Sequence, residues 1–556
     1  MGYRFESYQD SILKGKYMII VGVNTSPHDS SATLMIDNDL VFHIESERLS
    51  NIKHDEVPFE AIRRIKDYVD HVDVLALSGT YPTTPFDGGR KQNAYEAYIY
   101  GLGRSFKMHR MKVYDFSYSH HRVHAATAFY NSGFDKALCI VKDGSGSRII
   151  KHGLDVEEIG SCFIVGYPFK EELVFQHFIT TEEIEPLRVD KTLITNSMSE
   201  GNAYHLSSMS MGFGGDGAGK VMGLSSYGHD DPSVSQIFDE NNLISGLESC
   251  GSASPFETKA NYAYRLQMDV QNKVAQDILG FVKQTGIKNV CLSGGFFLNC
   301  MSNYNLFSVL PEDVTVYVEP MCYDAGNSLG AAKLAYYLET GSTEIKPQRT
   351  LFLGEVQPYT EIDEEVFEII NSSHEDVAQL LANRNIVAIY QGRSESGPRS
   401  LGNRSILYDP RDVNGKDHVN VVKKREWFRP FAGTVLLENV HDWFNMKRLK
   451  DSPFMMYAVE VLPEVRDIIP AITHVDGSCR IQTVTSEENH HFYKLIEEFY
   501  VLTGVPILLN TSFNLAGDAI VETLDNALDT LSRSEIDYLY LPEKGIVVKK
   551  RGKVYE

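Results

Sequence analysis

Two histidines stand four residues apart in Ser119-His120-His121-Arg122-Val123-His124-Ala125. On a helix that spacing stacks His120 and His124 on one face, one turn apart. Two imidazoles need oxygen partners to close a metal site. Asp143 and Asp324 each follow a stretch that reads as a strand, where α/β sheets present ligands. Such a set of two histidines and two aspartates suits Fe(II), Mn(II) or Zn(II) rather than calcium. A histidine pair satisfied without metal also fits the spacing. His28 sits beside Asp29 in a polar turn over 24–32. It is a candidate general base on a hydroxyl, unless the turn is merely closed by side-chain bonds to backbone. Glu47, Arg48 and Lys53 follow, either as a mixed-charge surface segment or as a phosphate or carbonyl contact.

A second set of residues is basic. Gln391-Gly392-Arg393-Ser394-Glu395-Ser396-Gly397-Pro398-Arg399-Ser400-Leu401-Gly402-Asn403-Arg404-Ser405 packs three arginines among glycines, and Lys423-Lys424-Arg425-Glu426-Trp427-Phe428-Arg429-Pro430-Phe431 adds four cations beside aromatics. Arg480 and Leu509-Asn510-Thr511-Ser512-Phe513-Asn514 come later. Guanidinium forks bind phosphate oxygens in pairs. A solvated basic face or an interdomain ion-pair network is the alternative. Residues 212–217 spell GxGxxG without a clear preceding strand, so they do not read as a dinucleotide fingerprint. Loops at 293–295 and 326–328 precede helices, where free N–H groups can hold an anion.

The elements that must position these groups alternate. Strands are expected over 17–24, 31–36 and 40–45, a helix over 57–70, a strand over 72–77, a helix over 119–131 and a strand over 137–142. A helix over 261–286, strands over 289–292 and 314–318 and a helix over 328–338 continue the alternation. Residues 340–358 carry Gly, Ser, Thr and Pro without periodicity and mark a boundary. Beyond it come helices over 374–384, 487–503 and 524–532. The pattern is α/β layering, and the opening three-strand meander resembles the actin-like ATPase architecture.

Composition narrows the function classes. The 556 residues are 43% hydrophobic and 23% charged, as in a folded globular chain. With 53 Lys and Arg against 75 Asp and Glu the formal net charge is −22. That disfavours strong binding to duplex nucleic acid or anionic membrane. No apolar run is long enough to span a bilayer, and the polar start MGYRFESYQD does not read as a signal peptide. Seven scattered cysteines without CxxC point to a reducing, cytoplasmic setting.

Taken in order, these segments resemble the O-carbamoyltransferases of the nodulation-factor, cephamycin and aminoglycoside type. The matching stretches are His28-Asp29-Ser30-Ser31-Ala32, Glu47-Arg48 with Lys53, His120-His121-x-x-His124-Ala125, Ser132-Gly133-Phe134-Asp135, Asp143-Gly144, Lys220-Val221-Met222-Gly223-Leu224, Gly294-Gly295 with Leu298-Asn299-Cys300, and Asp324-Ala325-Gly326. The second half adds the 391–407 loop, Asp409-Pro410-Arg411, Arg429-Pro430-Phe431 and the 509–514 segment. The resemblance implies an actin-like ATPase (ASKHA) N-terminal domain over 17–345, similar to the transferase that makes threonylcarbamoyl-adenosine in tRNA. It implies a YrdC-like α/β C-terminal domain over 359–550. The C-terminal domain would join carbamoyl phosphate and ATP into carbamoyl adenylate, and the N-terminal domain would pass the carbamoyl group to a hydroxyl. His28 would be the base and Lys53 a contact to the carbamoyl group. His120, His124, Asp143 and Asp324 would hold Fe2+ or a similar ion, with Mg2+ accompanying ATP. Arg404, Arg429, Arg480, Asn510 and Ser512 would bind carbamoyl phosphate and ATP. The acceptor would be an antibiotic, a sugar or a hydroxymethylated pyrimidine. A tRNA threonylcarbamoyl-type transferase and a non-catalytic nucleotide sensor are the competing expectations. An N-terminal extension of about sixteen residues has no counterpart in the resemblance.

Overall fold

The computed structural model describes residues 17–551 apart from 27, 80–110, 169, 240–242 and 245–249. Three sheets follow one another along the chain. In the first, Ile19–Thr25 pairs antiparallel with Ser31–Ile36, which pairs antiparallel with Asp39–Glu45. On its other side Ile19–Thr25 runs parallel to Val74–Gly79, and that strand to Lys112–Asp115. The second sheet repeats the scheme. Lys136–Lys142 pairs antiparallel with Leu154–Gly166, and that strand antiparallel with Lys170–Ile179. On its other side it runs parallel to Asn289–Ser293 and then Thr315–Val318. Both sheets thus carry the order third, second, first, fourth, fifth strand, the second sheet being extended by short hairpin strands. Two sheets of this order, in tandem, make the actin-like ATPase fold of the N-terminal half.

Two helices lie back to back between these sheets. Asn327–Thr340 packs on the first sheet and His120–Ser132 on the second. The close approach needs glycine at Gly22, where a Cβ would sit 1.9 Å from the Ser328 carbonyl oxygen. All six residues of Ser31–Ile36 and of Val74–Gly79 are buried, as in sheets covered on both faces.

The third sheet has ten strands, in the order Phe367–Asn371, Ile546–Lys550, Tyr538–Leu541, Val387–Tyr390, Arg404–Tyr408, Ile507–Ser512, Ala432–Leu436, Ser478–Val484, Ala458–Val461, Phe444–Asn445. It is mixed, and helices His374–Ala382 and His490–Thr503 pack against each other beside it. Element ends differ from the sequence expectation for local reasons. The helix expected from 487 starts at His490 because the Asn489 side chain accepts from the Phe492 N–H and caps it. The helix expected over 261–286 begins at Phe256, immediately after Pro255. The helix expected over 57–70 is confined to Phe59–Ile65, with turns after it.

The third sheet is fastened to the first by part of the arginine and glycine loop. Arg393 Nη2 donates to the carbonyls of Val41 and Leu353 at 2.6 and 2.8 Å. Arg48 Nη2 donates to Gly397 O at 2.9 Å, and the Gly397 N–H donates to Glu45 Oε1 at 2.8 Å. The seven cysteines are buried and unpaired. Among the described residues no helix is long and apolar enough to cross a membrane.

Candidate active site

His120 and His124 occupy the first turns of helix His120–Ser132, and both side chains are fully buried. Asp143 directly follows strand Lys136–Lys142, and Asp324 opens the turn before helix Asn327–Thr340. One nitrogen from each histidine and one oxygen from each aspartate lie within 4.8 Å of one another. His120 Nε2 is 3.2 Å from Asp143 Oδ2 and 3.2 Å from Asp324 Oδ1. His124 Nε2 is 3.7 and 3.4 Å from the same two oxygens and 3.0 Å from His120 Nε2. Ligand atoms bound to one ion at about 2.0–2.2 Å stand about 3–3.6 Å apart. The outer atoms are held in place. The Gly295 N–H donates to Asp143 Oδ1 at 3.0 Å, and Ser26 Oγ donates to Asp324 Oδ2 at 2.7 Å. Ser293 Oγ lies 3.3 Å from His124 Nδ1. Asp143, Asp324 and His124 therefore each offer one atom inward while an outer contact fixes the orientation, as in a supported metal site, whereas His120 Nδ1 is buried without a partner among the described residues. The donor set fits a borderline divalent ion.

Electrostatics agrees. Burial disfavours charge on His120, yet Asp324 and Asp143 hold its pKa well above the imidazole range. Burial also opposes the charge of Asp143 and Asp324, but the two histidines keep both carboxyls well below their usual range. Two carboxylates remain ionised in a buried space, and binding a cation there would release the His120 proton.

His28 faces the same space. Its ring is 55% exposed, into a cavity whose wall it shares with Asp143 and Asp324. Nδ1 is 2.5 Å from Asp29 Oδ2, which leaves Nε2 for a substrate proton. Burial lowers its pKa, but the bond to Asp29 and the charges of Asp324, Asp29 and Asp143 outweigh that and lift it to about 9.

The opposite wall comes from the third sheet and its loops. Arg399, Arg425, Arg429 and Arg480 line it, with Asn510 and Ser512. Few carboxylates answer them: Arg429 Nη1 is 3.6 Å from Glu426 Oε2. The Nε atoms of Arg399 and Arg480 are buried without a partner among the described residues. Burial, with repulsion from Arg480, pushes Arg399 down to about 9, and burial with repulsion from Arg429 and Arg480 does the same to Arg425. A guanidinium does not give up its proton in a protein, so the shift expresses crowded positive charge that an anion would relieve. Asn510 Nδ2 is held by Thr434 Oγ1 at 2.9 Å and Gln482 Oε1 at 3.1 Å, and Ser512 Oγ donates to Asn514 Oδ1 at 2.7 Å.

Both walls enclose one cavity of about 660 Å³. The structure brings His28, Asp143, Asp324, Arg429, Arg480, Asn510 and Ser512 to it, with His120 and His124 directly behind the aspartates. It does not bring Arg404 or Lys53 there. Arg404 is fully buried, stacked 3.9 Å over the Tyr390 ring, and its guanidinium donates to carbonyls of Gln391, Gly392, Asn403 and Glu522. Every donor is already used inside the fold. Lys53 is exposed on the loop after helix Ser46–Ser50 and is absent from the cavity wall. Sequence reasoning missed Arg399, Arg425 and Asp29 as site residues. The first two lay in the recognised basic segments, and Asp29 beside His28.

Models of known families match both halves of the chain. The carbamoyltransferase N-terminus matches residues 90–285 and 279–333, and the carbamoyltransferase C-terminus matches 378–550. The nodulation protein NolNO of Sinorhizobium fredii is 29% identical, over 95% of this chain and 80% of its own length. Nodulation protein NolO of Bradyrhizobium diazoefficiens is 32% identical, over 78% of this chain and 79% of its own. Among solved structures, HypF of T. kodakarensis aligns with 58% of this chain and 48% of its own at 15% identity and a TM-score of 0.36. The family models follow each other in chain order and a relative above 30% identity spans most of both sequences, so the chain belongs to the carbamoyltransferase family.

Proposed function

We propose that the protein is an ATP-dependent O-carbamoyltransferase that makes carbamoyl adenylate and transfers its carbamoyl group to an alcohol. The observation that carries this reading is the single cavity with a histidine and carboxylate wall on one side and four arginines on the other. The chemistry needs both. Water cleaves carbamoyl phosphate to carbamate and phosphate. A carbamate oxygen then attacks the α-phosphorus of ATP and expels pyrophosphate, giving carbamoyl adenylate. Arg399, Arg425, Arg429 and Arg480 bind the phosphate oxygens in these steps, with Asn510 and Ser512 beside them. The acceptor hydroxyl then attacks the carbamoyl carbon, its proton passes to His28 Nε2, and AMP leaves. Asp29 holds Nδ1 so that the free nitrogen points to the reaction. His120, His124, Asp143 and Asp324 would hold a divalent ion, Fe2+ among the candidates, which when bound supplies a Lewis acid toward an oxygen of the reacting groups. In this reading 359–550 activates and 17–345 transfers. Carbamoyl phosphate is the donor, and the acceptor is a small molecule, a sugar or a hydroxymethylated pyrimidine. Arg404 and Lys53 have no part in it.

The test is exchange of labelled pyrophosphate into ATP. Exchange that depends on carbamoyl phosphate, with no threonine present, supports the reading. Exchange that is absent or indifferent to carbamoyl phosphate contradicts it.

A further inference from the structure

Asp29 spends its two carboxylate oxygens on two histidines. Oδ2 meets His28 Nδ1 at 2.5 Å, and Oδ1 meets His54 Nδ1 at 3.1 Å. His28 lines the cavity and His54 does not. The His54 side chain is nevertheless 32% exposed, and its other nitrogen, Nε2, lies 3.7 Å from Asp216 Oδ2. The loop that carries His54 is built to put it there. Its φ is +58°, uncommon for a residue with a side chain. Its N–H donates to Glu47 Oε2 at 3.0 Å. The carbonyl of the next residue, Asp55, accepts from both the N–H of Ser30 at 3.1 Å and its hydroxyl at 2.7 Å. Ser30 follows Asp29 directly, so these bonds clamp the loop to the turn that presents the base.

We infer that His54 is a positioning residue for the transfer step, holding the Asp29 carboxylate against His28 and sharing its charge. The inference rests on the reading of His28 as the base. A carboxylate that accepts from two imidazoles gives each less than its full attraction. The groups around His28 are Asp29, Asp324 and Asp143, and those around His54 are Asp29, Asp216 and Glu47. The bond to Asp29 is the main cause holding His54 above its ordinary value, and the two imidazoles compete for one carboxylate. Removing His54 returns the whole charge of Asp29 to His28, which then keeps its proton to higher pH. Removing the Asp29 charge acts in the opposite sense.

The experiment is a titration of the histidine Cε1–H signals by NMR in the full-length protein at fixed divalent-metal content. The His28 signal is assigned by its loss in His28→Asn. In His54→Ala the His28 midpoint is expected to rise by about half a unit to one unit. In Asp29→Asn it is expected to fall. His54→Asn guards against misfolding, because its amide N–H can replace the Nδ1–H donor to Asp29 without the charge. It should keep the wild-type melting temperature and show a rise no larger than that of His54→Ala. A His28 midpoint unchanged in both His54 variants, with melting temperature preserved, overturns the inference. Slow AMP release to water, from ATP and carbamoyl phosphate, separates this from the parent reading. If His28→Asn releases AMP as fast as wild type, the base assignment fails whatever the titration shows. If AMP release is lost in His28→Asn while the His54 variants leave the midpoint in place, only the role of His54 fails.

Discussion

Arg404 and Arg425 show how differently two arginines of one basic region can act. Arg404 begins a central strand and turns into the core, where five donor bonds to carbonyls and the Tyr390 ring absorb it. Arg404→Ala leaves those carbonyls unpaired and opens a cavity, and it should lower the unfolding free energy by about 3 kcal/mol or more in a denaturant titration. Arg425 shares its wall of the cavity with three other cations. Arg425→Ala should leave stability unchanged or improve it. It should raise the carbamoyl phosphate KM of the pyrophosphate exchange by tenfold or more. The sequence reveals that arginines cluster, since their density in an acidic chain is visible. It does not reveal which of them faces the cavity, because strand register decides that. The metal-type set was more legible, because helix spacing fixes His120 against His124 and strand ends fix Asp143 and Asp324. His124→Ala should abolish retention of divalent metal, read by elemental analysis after dialysis, while exchange persists. A transfer base must be neutral, so in the proposed reaction transfer is lost as pH falls through the folded-state value of His28, which Asp29, Asp324 and Asp143 raise and a cation bound by the two latter would lower. Exchange, which does not use His28, should not follow that limb; parallel pH profiles of the two half-reactions check this.

At the scale of elements, the site depends on glycines that let backbones cross. Gly294 has φ +97°, and a Cβ there would lie 2.1 Å from the Lys142 carbonyl oxygen. The next residue donates the N–H that holds Asp143. Gly294→Ala should cost about 1–3 kcal/mol of stability and loosen the metal set, read as a weaker affinity for Zn2+ by competition with a chelating dye. The alternation of strands and helices was readable from periodicity. The duplicated strand order was not, because it lies in hydrogen bonding between strands and needs no repeat of side chains. The glycine-rich stretch over 212–219 also resisted reading. It follows helix Glu200–Ser210 rather than a strand, and leads through a single tight turn into helix Ala218–Ser225, both flanking the cavity.

At the scale of the molecule, residues of both halves line one cavity. The third sheet is bonded to the first through Arg393, Arg48 and Gly397, and the loops beside that joint bring the arginine wall opposite His28. Nothing in local sequence announces such closure, because it depends on contacts hundreds of residues apart. In the proposed reaction a carbamoyl adenylate made beside the arginines would already lie in the cavity that His28 lines. Mixing two disabled full-length variants tests this most directly. His28→Ala should make the adenylate and fail to transfer it, while Arg480→Ala should fail to make it but keep an intact transfer wall. With ATP, carbamoyl phosphate and a panel of alcohols read by mass spectrometry, the account predicts that the mixture carbamoylates no more than either variant alone. Recovery of transfer on mixing would show that the intermediate travels freely between molecules and would contradict a shared cavity.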